Sequence, residues 1–135
     1  MDISTSIERI LLSRDLLGST FYDVFFRRHP EVQRHFEGVN LVRQGVLLTM
    51  ALVVIEQFHA HAYPATHRYL QYLGTRHDEL GIPAETYPHF RDALLETLGL
   101  FHAGEWNAEL ADDWRAAIDK AYAAMLEGYR KHVGK

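Results

Sequence analysis

Apolar residues along this chain recur at helical spacing and almost nowhere alternate strictly, so nearly every segment reads as helix. Ser4 or Ser6 caps a short first helix whose inner side carries Ile7, Ile10, Leu11 and Leu17. A second helix over about 16–28 carries Phe21, Tyr22, Phe25 and Phe26, and Pro30 ends it and opens a brief helical turn over 31–36. After a loop over 37–40, the most hydrophobic helix covers about 41–59. The chain then loops through Ala62, Tyr63 and Pro64, and Thr66 begins a helix that ends near His77. Gly81 and Pro83 stop that helix, one by allowing a positive-φ turn and the other by forbidding continuation. A further helix covers about 84–102, Gly104 breaks the chain, and Glu105 or Asn107 leads into a last long helix to about His132. No repeat, low-complexity tract or linker interrupts this order, so one domain over 1–135 is expected.

Gly18 and Gly45 both fall inside predicted helices, where each costs about 1 kcal/mol against alanine. Either both are tolerated, or the second helix crosses the long apolar one where neither has a side chain. About seven to eight helices without strands make an all-α fold. A four-helix bundle would need longer, more equal helices. Short helices with prolines at the corners fit a globin-like packing, in which helices cross at roughly 50° and leave a cofactor pocket.

Composition narrows the chemistry. The 135 residues are 47% hydrophobic and 24% charged, with a formal net charge of −4 that leaves nine histidines uncounted. No long Lys/Arg block is present, which argues against nucleic acid as a partner. There is no cysteine, so disulfides, thiolate nucleophiles and Cys-based metal centres are excluded. The N-terminal residues do not form a signal peptide, and the apolar run from Val46 to Ile55 is too short to span a bilayer. A cytoplasmic protein without a membrane partner is expected.

His77 is the first candidate for chemistry. A lone histidine on a partly apolar helix face is ordinarily structural. Here it shares a face with Leu70 and Leu73, stands just before a sharp break, and is followed by Tyr87 at the next helix start. That places it at a pocket edge as the axial ligand of a haem iron. A neutral imidazole in that role donates its other nitrogen to a carbonyl or carboxylate, and the Leu73 carbonyl one turn back is the natural acceptor. Tyr22 sits one turn beyond Gly18 and therefore near Gln44, which precedes Gly45. Either Tyr22 is core and Gln44 surface, or together they offer two donors to a bound diatomic ligand in a dry pocket. Leu48 and Phe36 would then form an apolar wall against the flat ring. Tyr87 bonds into the proximal side or only packs, and Arg76 reaches a haem propionate or is simply solvated. His59, His61, His67, His89 and His102 show no compelling partners, and His59 and His61 read as solvent-exposed, with His59 a competing distal ligand if its helix lies differently.

The segment Phe21-Tyr22-Asp-Val-Phe-Phe26-Arg-Arg-His-Pro30-Glu-Val-Gln-Arg-His-Phe36, Gln44 with Leu48, Arg76-His77, Gly81-Ile82, Tyr87-Pro88, Trp114-Arg-Ala-Ala and Met125 together resemble bacterial single-domain haemoglobins, relatives of the globin domain of flavohaemoglobins. The resemblance covers about 5–130. It implies haem b (iron protoporphyrin IX) ligated by His77. Tyr22 and Gln44 become the distal pair, Phe36 packs on the ring, and Leu48, Leu73, Arg76, Ile82 and Tyr87 complete the site. The first helix is shorter than in that family, and the loop between Phe36 and Gln44 is two residues shorter than in flavohaemoglobins. In flavohaemoglobins a glutamate on the last helix bonds the proximal tyrosine and histidine. That position here falls on Tyr129, with Glu127 out of register, which counts against a strong proximal electron push.

The function this implies is reversible binding of dioxygen, and of carbon monoxide and nitric oxide, at a penta-coordinate haem. The alternatives are nitric-oxide dioxygenation with an external reductase, gas sensing through a separate partner, and a haem-free interaction fold. The last two helices are long enough for a homodimer interface, yet Tyr122 and Tyr129 serve equally well in the packing of a monomer.

Overall fold

The structure, a computed structural model, describes residues 1–13 and 16–133. Its α-helices are α1 (Ile3–Leu12), α2 (Leu16–Arg28), α3 (Leu41–His61), α4 (Pro64–Glu79), α5 (Tyr87–His102) and α6 (Ala108–Val133). A seven-residue 3-10 helix, Pro30–Phe36, follows α2, and short 3-10 turns, Ala84–Thr86 and Ala103–Glu105, flank α5. The all-α expectation holds, and no strand occurs among the described residues.

Several boundaries differ from the sequence expectation for local reasons. Asp2 caps α1, its carboxylate accepting from the Thr5 amide at 2.8 Å, so the helix starts before Ser4 and Ser6 can cap it. Leu17 packs from α2 and not from the first helix. α4 begins at Pro64, two residues before Thr66, because proline loses nothing at a first helical position, where the N–H has no partner anyway. Asn107 caps α6, accepting from the Leu110 amide at 2.8 Å. Gly81 has the positive φ expected of it, 77°, but before α6 the left-handed residue is Ala103 and not Gly104.

Ser6 is buried for a different purpose. Its hydroxyl lies 2.6 Å from His102 Nε2 and accepts from Trp114 Nε1 at 3.0 Å. Indole only donates, while the Ser6 hydroxyl can donate to His102 Nε2 or accept from it, so the contact suits a neutral ring of either tautomer. Burial, with the nearby Arg9 charge, accordingly pulls the His102 pKa down. This knot ties α1 to α5 and α6.

Two crossings are made of backbone. A Cβ on Gly18 would stand 2.5 Å from the Cα of Gly45, so α2 and α3 meet where both side chains are missing. A Cβ on Gly74 would lie 1.8 Å from the Met125 carbonyl oxygen, and one on Gly128 would lie 1.9 Å from that of Gln71. α4 therefore lies almost in contact with α6 along its length. The core is continuous across the helices, with Trp114, Phe21, Leu52, Leu94, Leu98 and Ile118 fully buried.

α3 is apolar on more than one side. Gly45, Leu48, Leu52, Ile55 and Phe58 face inward, while Val42, Val46, Leu47 and Met50 are half or more exposed. At 21 residues it is long and apolar enough to cross a membrane by length and composition, beyond what the run from Val46 to Ile55 suggests. Its buried face against α2 is that of a core helix.

Candidate functional site

His77 stands in the last turn of α4, where Gly81 and Pro83 prevent the helix from running on. Its Nδ1 lies 2.6 Å from the Leu73 carbonyl oxygen, the acceptor one turn back. The carbonyl can only accept, so Nδ1 carries a proton, and in the neutral ring Nε2 keeps its lone pair. Nε2 has no hydrogen-bond partner among the described residues, and the ring is half-buried. Leu70 is buried and Leu73 packs partly against the core, so His77 ends an apolar stripe.

The turn beyond His77 is fastened twice. The Ile82 amide donates to the His77 carbonyl at 3.0 Å, and the Tyr129 hydroxyl donates to the Ile82 carbonyl at 2.7 Å. Burial first, then the charges of Asp78 and Glu85, push the Tyr129 phenol up to about 12, so it keeps its proton and donates. The position where a glutamate would bond the proximal histidine thus holds a neutral donor aimed at a backbone carbonyl. Glu127 lies elsewhere, against His67 and Gln71 at 2.8 and 2.7 Å.

Tyr87 is more than packing. Its hydroxyl donates to Asp119 on α6 at 2.7 Å, and its ring stacks on Tyr122 with centroids 3.6 Å apart. Burial and the Asp119 carboxylate drive its pKa far up. Arg91 reaches the same carboxylate at 3.4 Å. Tyr122 and Tyr129 are therefore both engaged within the chain. Arg76 is half exposed and pairs with Glu79 at 3.5 Å, a contact on the surface of its own helix.

Tyr22 is buried in α2 among aromatic rings. Phe21, Phe26 and Phe36 lie with centroids 5.0, 5.8 and 5.4 Å away. Phe36 reaches it because Pro30 turns the chain back along α2. The Tyr22 hydroxyl has no hydrogen-bond partner among the described residues, and burial alone raises its pKa to about 12. The ring is buried while the hydroxyl takes no partner from these residues, so the phenol remains available as a donor to another molecule. Gln44 lies in the first turn of α3, half-buried, with Leu48 buried one turn on. Gly45, next to Gln44, touches Gly18, one turn before Tyr22, so both side chains come from the two helices that cross here.

Three partners of the expected histidines are long-range and carry no signal in sequence spacing. His67 meets Glu127, His102 meets Ser6, and His89 stacks on His29 at 3.9 Å between centroids. His59 is not solvent-exposed as expected. Its Nδ1 is buried without a partner, while exposed His61 stacks on Tyr63. Asp119 as the partner of Tyr87 was likewise invisible, since nothing in the local sequence of α6 separates it from other surface carboxylates.

The donor chemistry of His77 and Tyr22 fits a haem. An imidazole whose Nδ1–H is spent on a carbonyl offers the Nε2 lone pair an iron requires, and the unpartnered Tyr22 hydroxyl is the donor a bound gas would use. The family model described as Globin matches residues 19–125, which includes both. No curated protein matches the chain.

Proposed function

Because the chain belongs to the globin family, whose members bind haem and through it dioxygen, we propose that it is a reversible dioxygen-binding haemoglobin of the bacterial single-domain type. His77 is its axial ligand, and Tyr22 with Gln44 forms the distal pair. The supporting observation is the 2.6 Å bond between His77 Nδ1 and the Leu73 carbonyl, which puts the ring proton on Nδ1 and leaves the Nε2 lone pair free for iron. Haem b supplies the bond to dioxygen, carbon monoxide or nitric oxide.

The polypeptide does the rest. Leu73 fixes the tautomer and the plane of His77. Ile82 and Tyr129 hold the turn behind it. Phe36, Leu48, Leu73 and Ile82 wall the ring with apolar surface and keep water out. Arg76, which pairs with Glu79 on the helix surface, would be the residue to meet a propionate. Tyr22, a neutral phenol whose pKa burial raises to about 12, would donate to a bound gas, and Gln44 would add a second donor. Each such bond contributes about 1–3 kcal/mol in a dry site.

Nitric-oxide dioxygenation with an external reductase has less support, because it gains from an electron-rich proximal imidazole. Here the Nδ1 partner is a neutral carbonyl, and Tyr129 donates to Ile82 where a carboxylate would stand.

Optical spectra of the ferric, ferrous, carbonyl and oxy forms test the assignment. The expected result is a haem-loaded protein with a stable oxy spectrum, and a His77→Gly variant that recovers its ferrous spectrum only when imidazole is added. An unaltered Soret band in His77→Gly without imidazole would remove His77 from the iron.

A further inference from the structure

A second cluster of ligand atoms lies apart from the residues assigned to haem. His29 stands at the junction of α2 and the 3-10 helix Pro30–Phe36, Glu31 follows two residues on, and His89 is in the first turn of α5. One nitrogen from each imidazole and one Glu31 oxygen all lie within 4.8 Å of one another. His29 Nδ1 and Glu31 Oε1 are 3.4 Å apart. The two rings, sixty positions apart in sequence, lie with centroids 3.9 Å apart and planes tilted by 30°.

The frame behind them is rigid. The His29 amide donates to the Phe25 carbonyl at 2.9 Å, and its ring packs edge-on to Phe25. Phe90, next to His89, packs on Phe21 and Phe25, which locks α5 onto α2. The neighbouring cations, Arg27 and Arg28, are drawn to Glu96 further along α5, where both form ion pairs. The His29 side chain is only 19% exposed, whereas Glu31 at 62% leaves the cluster open to solvent on one side.

We propose that His29, Glu31 and His89 bind one divalent transition-metal ion of the Zn2+ kind, separate from the haem. Two imidazoles and one carboxylate suit Zn2+ and its neighbours and disfavour Ca2+ and Mg2+, which prefer all-oxygen sites. With bonds of about 2.0–2.1 Å, tetrahedral ligand atoms stand roughly 3.3 Å apart. His29 and Glu31 already meet that spacing, and His89, with a nitrogen within 4.8 Å of both, joins them by turning out of its stack on His29. Three protein ligands leave the fourth position to water from the open side. The ion clamps the start of the 3-10 helix to the start of α5. The same 3-10 helix ends on Phe36, which packs on Tyr22, so the clamp fixes the base from which that contact is made.

Zn2+ is the probe. The haem protein in its ferrous carbonyl form is equilibrated with Zn2+, desalted and analysed for bound zinc, with calorimetry for affinity and thermal melting for stability. The expected result is one Zn2+ per chain and a melting midpoint raised by about 5 °C or more at saturating metal. His89→Gln and Glu31→Gln should each weaken binding by about tenfold or more, with unchanged Soret bands and unchanged metal-free melting. His61→Gln should bind as the parent does. Failure to retain zinc, or retention that His89→Gln and Glu31→Gln leave unchanged, would overturn the site. Neither result bears on haem ligation by His77, which the optical spectra report separately.

Discussion

Gly18 and Gly45 meet backbone to backbone, with the position of a Gly18 Cβ only 2.5 Å from the Gly45 Cα. No rotamer relieves that clash, because the obstacle is main chain. Gly18→Ala should therefore destabilise the protein by about 1–3 kcal/mol through forced separation of the helices. Gly45→Ala should cost less, since its nearest contact would be 3.2 Å. Gly128→Ala, which would place its Cβ 1.9 Å from a carbonyl oxygen, should cost most. Urea unfolding of the three variants checks the order, and a neutral Gly18→Ala would mean that the helices are not in contact.

The unpartnered hydroxyl of Tyr22 carries the distal assignment. Tyr22→Phe keeps the ring contacts with Phe21, Phe26 and Phe36 and removes only the donor. Dioxygen dissociation should accelerate by about tenfold to a hundredfold, the equivalent of roughly 1.4–3 kcal/mol. Carbon monoxide, a poorer acceptor, should bind nearly as before. Stopped-flow measurement decides, and an unchanged dioxygen off-rate would count against Tyr22 as the donor.

His102 makes stability depend on pH. Burial and Arg9 lower its folded pKa below the ordinary value of 6.5, so the unfolded chain takes up a proton first as pH falls. Its contribution is complete above pH 6.5 and is lost as pH falls from there through the folded pKa. His102→Gln, which can still face Ser6 with a polar group, should flatten that part of the stability profile. Denaturant midpoints between about pH 7 and pH 5 read it out. A slope identical in parent and variant would assign the acid sensitivity to other groups.

What the sequence revealed followed from local cost. Glycine inside a helix is expensive, so Gly18 and Gly45 demanded an explanation, and close approach supplied one. Gly74 and Gly128 carry the same local cost, but their pairing depends on how α4 and α6 cross, which neither helix encodes alone. The bond from His77 to Leu73 was foreseeable because both ends lie on one helix turn. Ser6, His102 and Trp114 were not, since a buried serine near a helix start looks the same in sequence as a capping one. His29 and His89, and Tyr87 and Asp119, are joined only by the fold. In each of these cases periodicity located the helix and not the neighbour across from it.

The two glycine junctions also fix where this molecule can yield. One joins α3 to α2, and the other joins α4 to α6, so the helices bearing Gln44 and His77 are each held against a different companion by main chain. The two pairs share one core, since α3 also packs on α6 and α2 on α5. A shift of one pair against the other would have to come from side-chain repacking in that shared core, with neither backbone contact opening.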